Sequence, residues 1–351
     1  MQNEYTIIGS GNYSIVLRPI VTNITHEYLQ YTDFNTSDVT KIFKLGNNED
    51  FEKELDILLK LKGIEDYTLF TAPIKGASKF KVSSLSYDYE LMTKLNILYS
   101  NQKNYHKDMY QIVFGYGGIP LNKFDNKITF LQFLLILRNF LIGIQKLQEN
   151  NIIHRDIKST NVLYHDKKLN LIDFGLACTT NDVYANTDDN KFVLAYMYMY
   201  HPPEFYIAYL LYEYSEKHPE SDFNTILDHA FKNLITYTQE LKTYYEEHYY
   251  KYHKLEPYNI FSYRKAFAEF YDEIKQGNVQ SIEEIFTSEI TLKADIYGIS
   301  YILKDLKKHI IFDHMFQKQI FYDLYDMMHH LNPYKRASLS QIMTYIESIY
   351  M

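Results

Sequence analysis

The chain has 351 residues, which is enough for one large domain or for two lobes with a cleft. Its formal net charge of −8 argues against nonspecific nucleic-acid binding as the main activity, because such binding needs a basic surface. Apolar residues make up 46% of the chain, and glycine and proline are few, so we expect a substantial core and no long disordered linker.

The chain has a single cysteine, Cys178, so no disulfide can form within it. Together with an N-terminus that lacks the basic and apolar segments of a secretory signal, this predicts an intracellular, cytoplasmic protein. The most apolar segment, residues 130–147, is interrupted by Gln132, Arg138 and Asn139. We therefore interpret it as an amphipathic helix and expect no membrane partner.

The first predicted element is a β-hairpin in residues 5–20. Two runs of β-forming residues flank the segment Gly9-Ser10-Gly11-Asn12, which suits a tight turn. Glycines there would let the backbone approach a ligand and leave N–H groups free to face phosphate oxygens. On this pattern alone, a phosphate-binding loop and a simple turn are equally open.

A strand is predicted over residues 38–44, and a helix over residues 49–61. Alternation along the strand places Val39, Lys41 and Phe43 on one face. Acidic residues fill the first turn of the helix, and its apolar face is formed by Leu55, Leu58 and Leu59. Glu54 lies beside that face and could point inward to a lysine. By themselves, Lys41 and Glu54 are better explained as ordinary solvated charges.

The middle of the chain is harder to assign. Residues 70–74 and 110–114 predict strands, and the polar, tyrosine-rich segment 78–108 between them predicts a surface insertion. Residues 115–118 contain three glycines and predict a linker. From Thr129 onward the pattern is mainly helical, including a segment at 205–290 that is dense in Tyr, His and charge and predicts partly exposed helices.

Residues 152–175 contain the strongest indication of chemistry. Asp156 and Asp173 lie in short polar turns between apolar runs that predict strands, and Lys158 and Asn161 lie between the two acids. Carboxylate and amide oxygens are ligands that Mg²⁺ prefers, and a lysine offsets the charge of a phosphate. This combination indicates chemistry on a phosphate that is bound together with a metal ion.

The same stretch resembles two motifs of protein kinases. His154-Arg155-Asp156-Ile157-Lys158-Ser159-Thr160-Asn161 is similar to the catalytic loop, and Asp173-Phe174-Gly175 is similar to the metal-binding D-F-G motif. A chance match to either is easy, but the two together, separated by a predicted strand pair, are specific.

Further kinase-like motifs follow in the family's order along nearly the whole chain. Near the start, residues 9–16 resemble the glycine-rich loop, with Ser14 in place of its third glycine, and Lys41 and Glu54 match the strand lysine and the helix glutamate. Further on, residues 202–204 are a Pro-Pro-Glu form of the A-P-E motif, and residues 332–336 resemble the late arginine segment. Residues 295–300 are similar to D-x-W-x-x-G, with Tyr297 in place of Trp and Ser300 in place of Gly. In this context, Lys41 and Glu54 become functional candidates.

The resemblance implies an α+β, bilobal protein-kinase fold. It implies a small β-rich N-lobe with one main helix at residues 1–114, a hinge at 115–118, and a large, mostly helical C-lobe at 119–351. Residues 78–108 and 205–290 would be insertions in the two lobes. The implied cofactors are ATP and Mg²⁺ or Mn²⁺, and the implied partner is a protein substrate that presents a Ser or Thr hydroxyl, with no nucleic acid and no membrane.

The resemblance also assigns roles to individual residues. Asp156 would accept and orient the substrate hydroxyl, and Lys158, the form found in serine/threonine kinases, would offset charge on the γ-phosphate. The implied metal ligands are Asn161 and Asp173. The implied nucleotide-binding residues are Gly9, Ser10, Gly11, Asn12, Ser14, Val16, Val39, Lys41, Glu54, Phe114, Gly115, Tyr116 and Gly117.

Other matched residues would maintain the shape of the fold. His154 and Phe174 would be core residues, with Asp295 at the base of their stack. Glu204 and Arg336 would form a buried ion pair, and the loss of one partner would leave an uncompensated charge.

Three positions leave alternatives open. Lys44 competes with Lys41 as the lysine that binds ATP, although Lys41 is preferred. Met197 stands where serine/threonine kinases have a Thr that helps to position the substrate. Arg155 would either meet a phosphate on the activation segment, residues 176–201, or pair with a nearby acid. The candidate phosphorylation sites are Thr179, Thr180, Tyr184 and Thr187.

The leading interpretation is an active serine/threonine protein kinase. The alternative is a pseudokinase, a scaffold that binds nucleotide or a partner protein without efficient phosphoryl transfer. A small-molecule kinase of related fold is a third interpretation, and the A-P-E-like segment and Asp295 argue against it. Residues 205–290 would either dock a partner or add helical packing. The composition resembles that of kinases from large DNA viruses, which would place the protein in host cytoplasm or in the virion.

Overall fold

A computed structural model describes most of the chain, with short gaps. The described residues are 5–11, 13–18, 20–21, 24–31, 35–85, 89–97, 106–180, 202–244, 260–277 and 279–350. The chain divides into two compact units. The first comprises Met1–Asp125, Leu135–Asn150 and Ser159–Ala177, and the second comprises Asn126–Leu134, Asn151–Lys158 and Cys178–Met351.

A six-stranded antiparallel sheet forms the centre of the first unit. Its strands are β1 (Thr6–Ser10), β2 (Ser14–Arg18), β3 (Ile24–Leu29), β4 (Val39–Phe43), β5 (Ile74–Lys81) and β6 (Asp108–Phe114). Their order across the sheet is β1-β2-β4-β6-β5-β3. The predicted hairpin and the predicted strands at residues 38–44 and 110–114 are confirmed, whereas the strand predicted at residues 70–74 begins only at Ile74.

Strand β3 extends the sheet at the edge opposite β1, and the sequence does not predict it. It pairs with β5, so that Ile24 lies opposite Phe80 and Leu29 lies opposite Ala77. The chain therefore leaves β2, adds β3 at the far edge of the sheet, and returns to form β4 beside β2. Because β3 and its partner strand are far apart in the sequence, no local pattern specifies their pairing.

The helix predicted at residues 49–61 is α1 (Asn48–Lys62), and it contacts β4, β5 and β6. Its buried side chains include Phe51, Glu54, Leu55 and Leu58. Leu59 is 44% exposed, so its assignment to the apolar face is wrong. Consecutive helical residues point about 100° apart, and Leu58 occupies the inward direction.

Residues 78–108 contribute to the core, although their polar composition predicts a surface insertion. The segment contains the end of β5, a short helix α2 (Tyr89–Lys94) and the start of β6. Its apolar side chains pack with Ile15 and Leu17 of β2 in one buried cluster, and those from this segment are Phe80, Val82, Leu85, Leu91, Met92, Leu95 and Ile97. A few well-spaced apolar residues are enough for this burial, and the many polar neighbours conceal them in the sequence.

Helix α3 (Phe130–Glu149) is the apolar helix expected from the sequence. By length and composition alone it could cross a membrane, but 56% of its most apolar window is buried inside the structure. Phe133, Leu137, Phe140 and Leu141 are all fully buried or nearly so. This burial is that of a core helix.

Short strands surround the segment that carries the kinase-like motifs. In the first unit, β7 (Ile119–Pro120), β10 (Val162–His165) and β11 (Lys168–Leu171) form a small antiparallel sheet in the order β11-β10-β7. In the second unit, β9 (Ile152–Ile153) pairs with β12 (Cys178–Thr179), and β8 (Ile128–Thr129) pairs with β13 (Ile310–Ile311).

The second unit is mostly helical. Among its described residues, the helices are α4 (Pro203–Lys217), α5 (Phe223–Tyr244), α6 (Ile260–Gln276), α7 (Ile282–Ile285), α8 (Ser288–Leu306), α9 (Met315–His329) and α10 (Leu339–Tyr350). Together with the sheet of the first unit, this gives the α+β class expected from the sequence.

The helices predicted within residues 205–290 are present, and their described side chains share one core. Leu211 of α4, Leu227 of α5, Phe270 of α6 and Ile285 of α7 belong to one buried cluster, together with Ile290 of α8. In addition, α6 contacts the segment at residues 332–336. Its contacts there are Glu269 to Lys335, Glu273 to Asn332 and Phe270 to Tyr334. This segment is therefore packed into the second unit.

Candidate functional site

The glycine-containing hairpin joins β1 and β2 at the edge of the sheet. Gly9 lies opposite Val16, and Ser10 lies opposite Ile15. The Gly11 backbone N–H donates to the Ser14 carbonyl oxygen at 2.8 Å, which closes the turn. Asn12, a predicted nucleotide contact, lies outside the described residues.

Strand register brings several predicted nucleotide residues together. Val16 on β2 lies opposite Lys41 on β4, and Val39 on β4 lies opposite Phe114 at the end of β6. Three neighbouring strands thus carry these four residues.

The predicted hinge, residues 115–118, follows β6 directly. The Gly115 N–H donates to the Pro73 carbonyl oxygen at 2.8 Å, and the Asn170 side chain donates to the Gly117 carbonyl oxygen at 2.7 Å. Gly118 has a φ of 115°, and a Cβ atom there would overlap the Tyr164 carbonyl group, so this position requires glycine. Tyr116 is partly exposed, and the Arg18 guanidinium lies 5.4 Å from its ring centroid.

Lys41 lies at the centre of a buried charged cluster in the first unit. Its Nζ lies 2.8 Å and 2.6 Å from the two carboxylate oxygens of Glu54, and 2.6 Å from Oδ1 of Asp173. Lys41 and Glu54 are 8% and 2% exposed. The predicted contact between Lys41 and Glu54 is present, and of the two candidate lysines it is Lys41 that makes it.

Burial and charge act in opposite directions on this cluster. Burial lowers the pKa of Lys41, but the neighbouring Asp173 and Glu54 carboxylates outweigh it and raise this pKa above its ordinary value. Lys41 is therefore a firm positive charge. Burial raises the pKa of Glu54, while Lys41 opposes that rise. The positive charge of Lys41 thus favours the ionised form of Glu54, and the two side chains form a charge-assisted hydrogen bond.

Asp173 follows β11 and has a left-handed backbone, with φ of 65°. The Ile172 backbone N–H donates to the Asn161 carbonyl oxygen at 2.9 Å, so Asn161 lies beside the residue that precedes Asp173. The Asp173 side chain is 45% exposed despite its contact with Lys41. A carboxylate and an amide, both oxygen donors, fit a hard divalent ion such as Mg²⁺.

The surroundings of Gly175 explain why the D-F-G turn ends in a glycine. A Cβ atom at this position would lie 3.3 Å from Glu54 Oε2 and 3.8 Å from Lys41 Nζ. A larger residue would therefore crowd the charged cluster. The preceding residue, Phe174, is buried, and α1 contacts this turn directly.

Asp156 and Lys158 lie in the second unit and contact each other. Lys158 Nζ lies 2.7 Å from Asp156 Oδ2. The Asp156 backbone N–H donates to His154 Nδ1 at 3.2 Å, and His154 is fully buried. The carboxylate of Asp156 is therefore held by its own loop next to a positive charge.

Asp295 of α8 supports this loop from beneath. Its carboxylate accepts the backbone N–H groups of His154 and Arg155 at 2.8 Å and 2.9 Å. Burial raises the pKa of Asp295 to about 6, although these two hydrogen bonds oppose the rise. Gly298, on the same helix, lies so close to Ile157 that a Cβ atom would be 2.8 Å from the Ile157 carbonyl oxygen. Helix α8 thus fixes the backbone around Asp156.

Arg155 has partners of its own in the second unit. Its Nη1 donates to Cys178 Sγ at 3.6 Å, and its guanidinium lies 5.6 Å from the Phe205 ring centroid. Thr179 belongs to β12 and lies opposite Ile152. Met197, Tyr184 and Thr187, about which the sequence raises questions, lie outside the described residues.

The predicted ion pair between Glu204 and Arg336 is present and fully buried. Arg336 Nη2 donates to Glu204 Oε2 at 3.0 Å, and Nη1 donates to Oε1 of the same carboxylate. Two carbonyl oxygens, of His330 and Lys293, accept the remaining hydrogen bonds of the guanidinium. The pair joins the start of α4 to the segment before α10.

Several residues near the charged cluster are not identified from the sequence. Phe51 lies in the first part of α1, three residues before Glu54. Its ring contacts the rings of Tyr28, Phe43 and Tyr110, which belong to three strands of the sheet. No alternation marks β3, whose sequence is ITHEYL, and its place at the far edge of the sheet is not local information.

Comparison with known proteins identifies a family. A family model of the protein kinase domain matches residues 3–346. The chain is 25% identical over 177 residues to the serine/threonine-protein kinase pakG of Dictyostelium discoideum, which covers 50% of this chain and 12% of that protein.

Two further relatives match a longer and a shorter portion of the chain. The CTD kinase subunit alpha of Saccharomyces cerevisiae is 26% identical over 213 residues, which is 57% of this chain and 37% of that protein. A protein of Acanthamoeba polyphaga mimivirus, named for serine/threonine-protein kinase activity, is 41% identical over 62 residues, which is 17% of this chain and 22% of its own length. The matches thus span well under half the length of these relatives.

Proposed function

The chain belongs to the protein kinase family, and on that basis we propose that it transfers the γ-phosphoryl group of ATP to serine or threonine hydroxyls of a protein. The observation that carries this proposal is the buried cluster of Lys41, Glu54 and Asp173. Phosphoryl transfer depends on charges that are in place before the reaction, because the transferred group carries charge that must be neutralised. In this cluster, Lys41 supplies a fixed positive charge and Asp173 supplies an accessible carboxylate.

In this proposal, the first unit holds the nucleotide. Lys41 contacts the α- and β-phosphates, and Glu54 keeps it in position. The backbone of residues 9–14 covers the phosphates. The base packs against Val16, Val39 and Phe114 and meets the backbone of residues 115–117. Strand register supports this assignment, since β2, β4 and β6 are neighbours in the sheet.

Membership of the family implies a divalent metal ion as well as ATP. Asp173 and Asn161 would hold that ion, because both supply oxygen ligands and lie close together in the backbone. When bound, the ion offsets negative charge on phosphate oxygens. Lys41 keeps the Asp173 carboxylate oriented for this role.

The transfer itself would use Asp156 and Lys158. The substrate oxygen forms a bond to the γ-phosphorus, and the bond from that phosphorus to the bridging oxygen of ADP breaks. The hydroxyl proton passes to the Asp156 carboxylate, and Lys158 offsets charge on the γ-phosphate. Asp295 positions the backbone of this loop through its hydrogen bonds to His154 and Arg155.

The preference for serine and threonine rests on two observations. Lys158 lies two positions after Asp156, which is the serine/threonine form of the catalytic loop. The relatives named above include serine/threonine kinases, at about 25% identity for the longest matches.

The test is transfer of radiolabelled phosphate from ATP to generic protein substrates. We expect wild type to label substrate, and Asp156→Asn and Lys41→Met to lose on the order of 10²–10³ in rate or more, since each removes a preplaced charge. Lys44→Met is the matched control, because it removes a lysine from the same strand region outside the cluster, and it should stay close to wild type.

Phosphoamino-acid analysis of the labelled product tests the substrate class, and we expect phosphoserine and phosphothreonine. Wild type that binds nucleotide but transfers no label would contradict the proposal and favour the pseudokinase alternative. Label on tyrosine alone would contradict the substrate class while leaving the kinase activity in place.

A further inference from the structure

Glu54 is carried by α1, so whatever fixes this helix also fixes the contact between Glu54 and Lys41. Phe51 lies in the first part of α1, three residues before Glu54, and is fully buried. Residues three apart on a helix lie on the same face. A movement of α1 that withdraws Phe51 from its pocket must therefore also displace Glu54.

The pocket of Phe51 is built from aromatic rings on three strands. Its ring centroid lies 5.4 Å from that of Phe43 on β4, 4.7 Å from that of Tyr110 on β6, and 5.3 Å from that of Tyr28 on β3. Such ring contacts contribute beyond their buried area, and their geometry is directional. We call these four residues the aromatic clamp.

The clamp reaches the charged cluster on one side and the sheet edge on the other. Lys41 Nζ lies 5.4 Å from the Phe43 ring centroid. At the opposite end, Tyr28 belongs to β3, which is fixed to the sheet by its ladder with β5. The rings thus form a continuous path from the edge strand, through the start of α1, to the lysine.

We propose that β3 is a built-in brace for α1, and that Tyr28 and Phe51 are positioning residues for the pair of Lys41 and Glu54. The contact of Tyr28 on this edge strand with Phe51 holds α1 in the position where Glu54 reaches Lys41. In kinases, the position of this helix determines whether the ion pair forms and hence whether the site is competent. This inference rests on the proposed function for its effect on catalysis, but the effect on α1 is independent of it.

The first test compares Tyr28→Ala with Tyr28→Phe. Removing the ring should release the start of α1 and lower phosphoryl transfer by about tenfold or more, because a small displacement of a catalytic group is enough for such a loss. Tyr28→Phe keeps the ring and should restore transfer close to wild type. Tyr89→Ala is the matched control, since Tyr89 is 71% exposed in the same unit and belongs to neither the clamp nor the charged cluster.

The second test measures hydrogen exchange of backbone amides in the same variants without substrate. We expect faster exchange in α1, residues 48–62, for Tyr28→Ala, and unchanged exchange in β6 and α8. Faster exchange throughout the first unit would indicate general destabilisation and would overturn the brace. Should Tyr28→Ala not fold, Phe51→Leu replaces it, because leucine keeps the helix face apolar while it removes the ring; the same pattern is expected.

The outcomes separate this inference from the proposed function. Unchanged transfer and unchanged α1 exchange in both Tyr28→Ala and Phe51→Leu would overturn the brace and leave the kinase activity standing. Wild type without transfer, together with selectively faster α1 exchange in the variants, would overturn the proposed function and support the brace.

Discussion

At the scale of single residues, Lys41 shows how a buried charge becomes useful. A lysine with 8% exposure would be costly without partners, but three carboxylate oxygens lie within 2.8 Å of its Nζ. They keep it charged and fix its direction. Because Glu54 is almost fully buried and Asp173 is 45% exposed at its side chain, the two acids have different surroundings. The glutamate orients the lysine, while the aspartate remains accessible to a ligand.

Tyr297 and Ser300, the two departures from the D-x-W-x-x-G pattern, form a network with His329 of α9. The Tyr297 ring stacks on the His329 ring, with centroids 5.0 Å apart. The Ser300 hydroxyl donates to the Tyr297 carbonyl oxygen at 2.6 Å and lies 2.8 Å from His329 Nδ1. Since that hydroxyl has only one hydrogen to donate, we infer that Nδ1 donates to it. Helices α8 and α9 are joined through this neutral imidazole.

The first prediction concerns pH. Burial lowers the pKa of His329 to about 4, and the nearby charge of Arg336 acts in the same direction. A group whose folded-state pKa lies below its unfolded value stabilises the fold above the unfolded pKa of about 6.5 and loses that contribution as pH falls through the folded pKa. The contribution amounts to about 3 kcal/mol when fully developed.

Between about pH 6.5 and pH 4, wild type should therefore lose stability relative to His329→Gln, because glutamine does not titrate. Urea unfolding at a series of pH values measures both slopes, and glutamine can still donate to Ser300. Equal slopes for the two proteins would rule out His329 as the titrating group.

Sequence reasoning at the residue scale succeeds where a motif specifies spacing. The contact between Lys41 and Glu54, the support from Asp295, and the pair of Glu204 and Arg336 all follow from matched motifs. Tyr28 belongs to no such motif, and a tyrosine in a short strand has many possible neighbours. Its contact with Phe51 depends on the position of β3 in the sheet, which is a property of tertiary pairing.

At the scale of elements, the buried pair of Glu204 and Arg336 fastens the beginning of α4 to the segment that precedes α10. Both residues are essentially unexposed, and the guanidinium also donates to two backbone carbonyl oxygens. Each buried charge in this pair is stabilised only while its partner is present. The loss of either member leaves the other uncompensated.

The second prediction is a double-mutant cycle on this pair. Glu204→Gln and Arg336→Met should each destabilise the protein by about 3–5 kcal/mol, because each leaves a buried group without its counter-charge. The double variant should lose clearly less than the sum of the two single losses. Denaturant unfolding of the four proteins gives the coupling energy. Additive losses would mean that the two side chains do not stabilise each other.

Elements differ in how well the sequence predicts them. Helices α1 and α3 and strand β4 are predicted because their own periodicity or alternation specifies them. Residues 78–108 are not, since their burial depends on partners in β2 that lie far away in the chain. The same holds for α6, whose contacts with Tyr334 and Lys335 cross about sixty positions of sequence.

At the scale of the whole molecule, residues 205–290 enclose a buried cluster and are attached to the rest of the second unit through α6. Ile207, Leu211 and Ile290, which lie near the limits of this segment, share a buried cluster with residues from its interior. Helix α6 of this segment also contacts Asn332, Tyr334 and Lys335, which lie outside it. We therefore expect the segment to be required for folding of this unit.

The third prediction is that replacing residues 218–281 by a short glycine-serine linker abolishes cooperative unfolding of the second unit. The deletion would expose large apolar side chains of α4 and α8, and losses of several kcal/mol for each such side chain exceed the usual stability of a domain. Thermal unfolding and hydrogen exchange of α8 are the measurements. A shortened protein that melts cooperatively near wild type would show that the segment is dispensable.

For the molecule as a whole, composition and motif order predict the class, the kinase family and the mainly helical second part. They do not predict that the tyrosine-rich segment is integrated, because tyrosine suits both a core and a surface. Tyr212 and Tyr271, for example, pack against the buried cluster, whereas Tyr322 is 42% exposed.

The distance in sequence between Glu204 and Arg336 also has a consequence during synthesis. The two residues are 132 positions apart, so a ribosome that adds 5–20 residues per second needs roughly 7–26 s to make the second after the first. Throughout that interval the Glu204 carboxylate lacks Arg336, the partner that fastens α4 in the folded protein. The second unit therefore completes its packing late in translation, and a nascent chain paused before Arg336 should remain a substrate for chaperones.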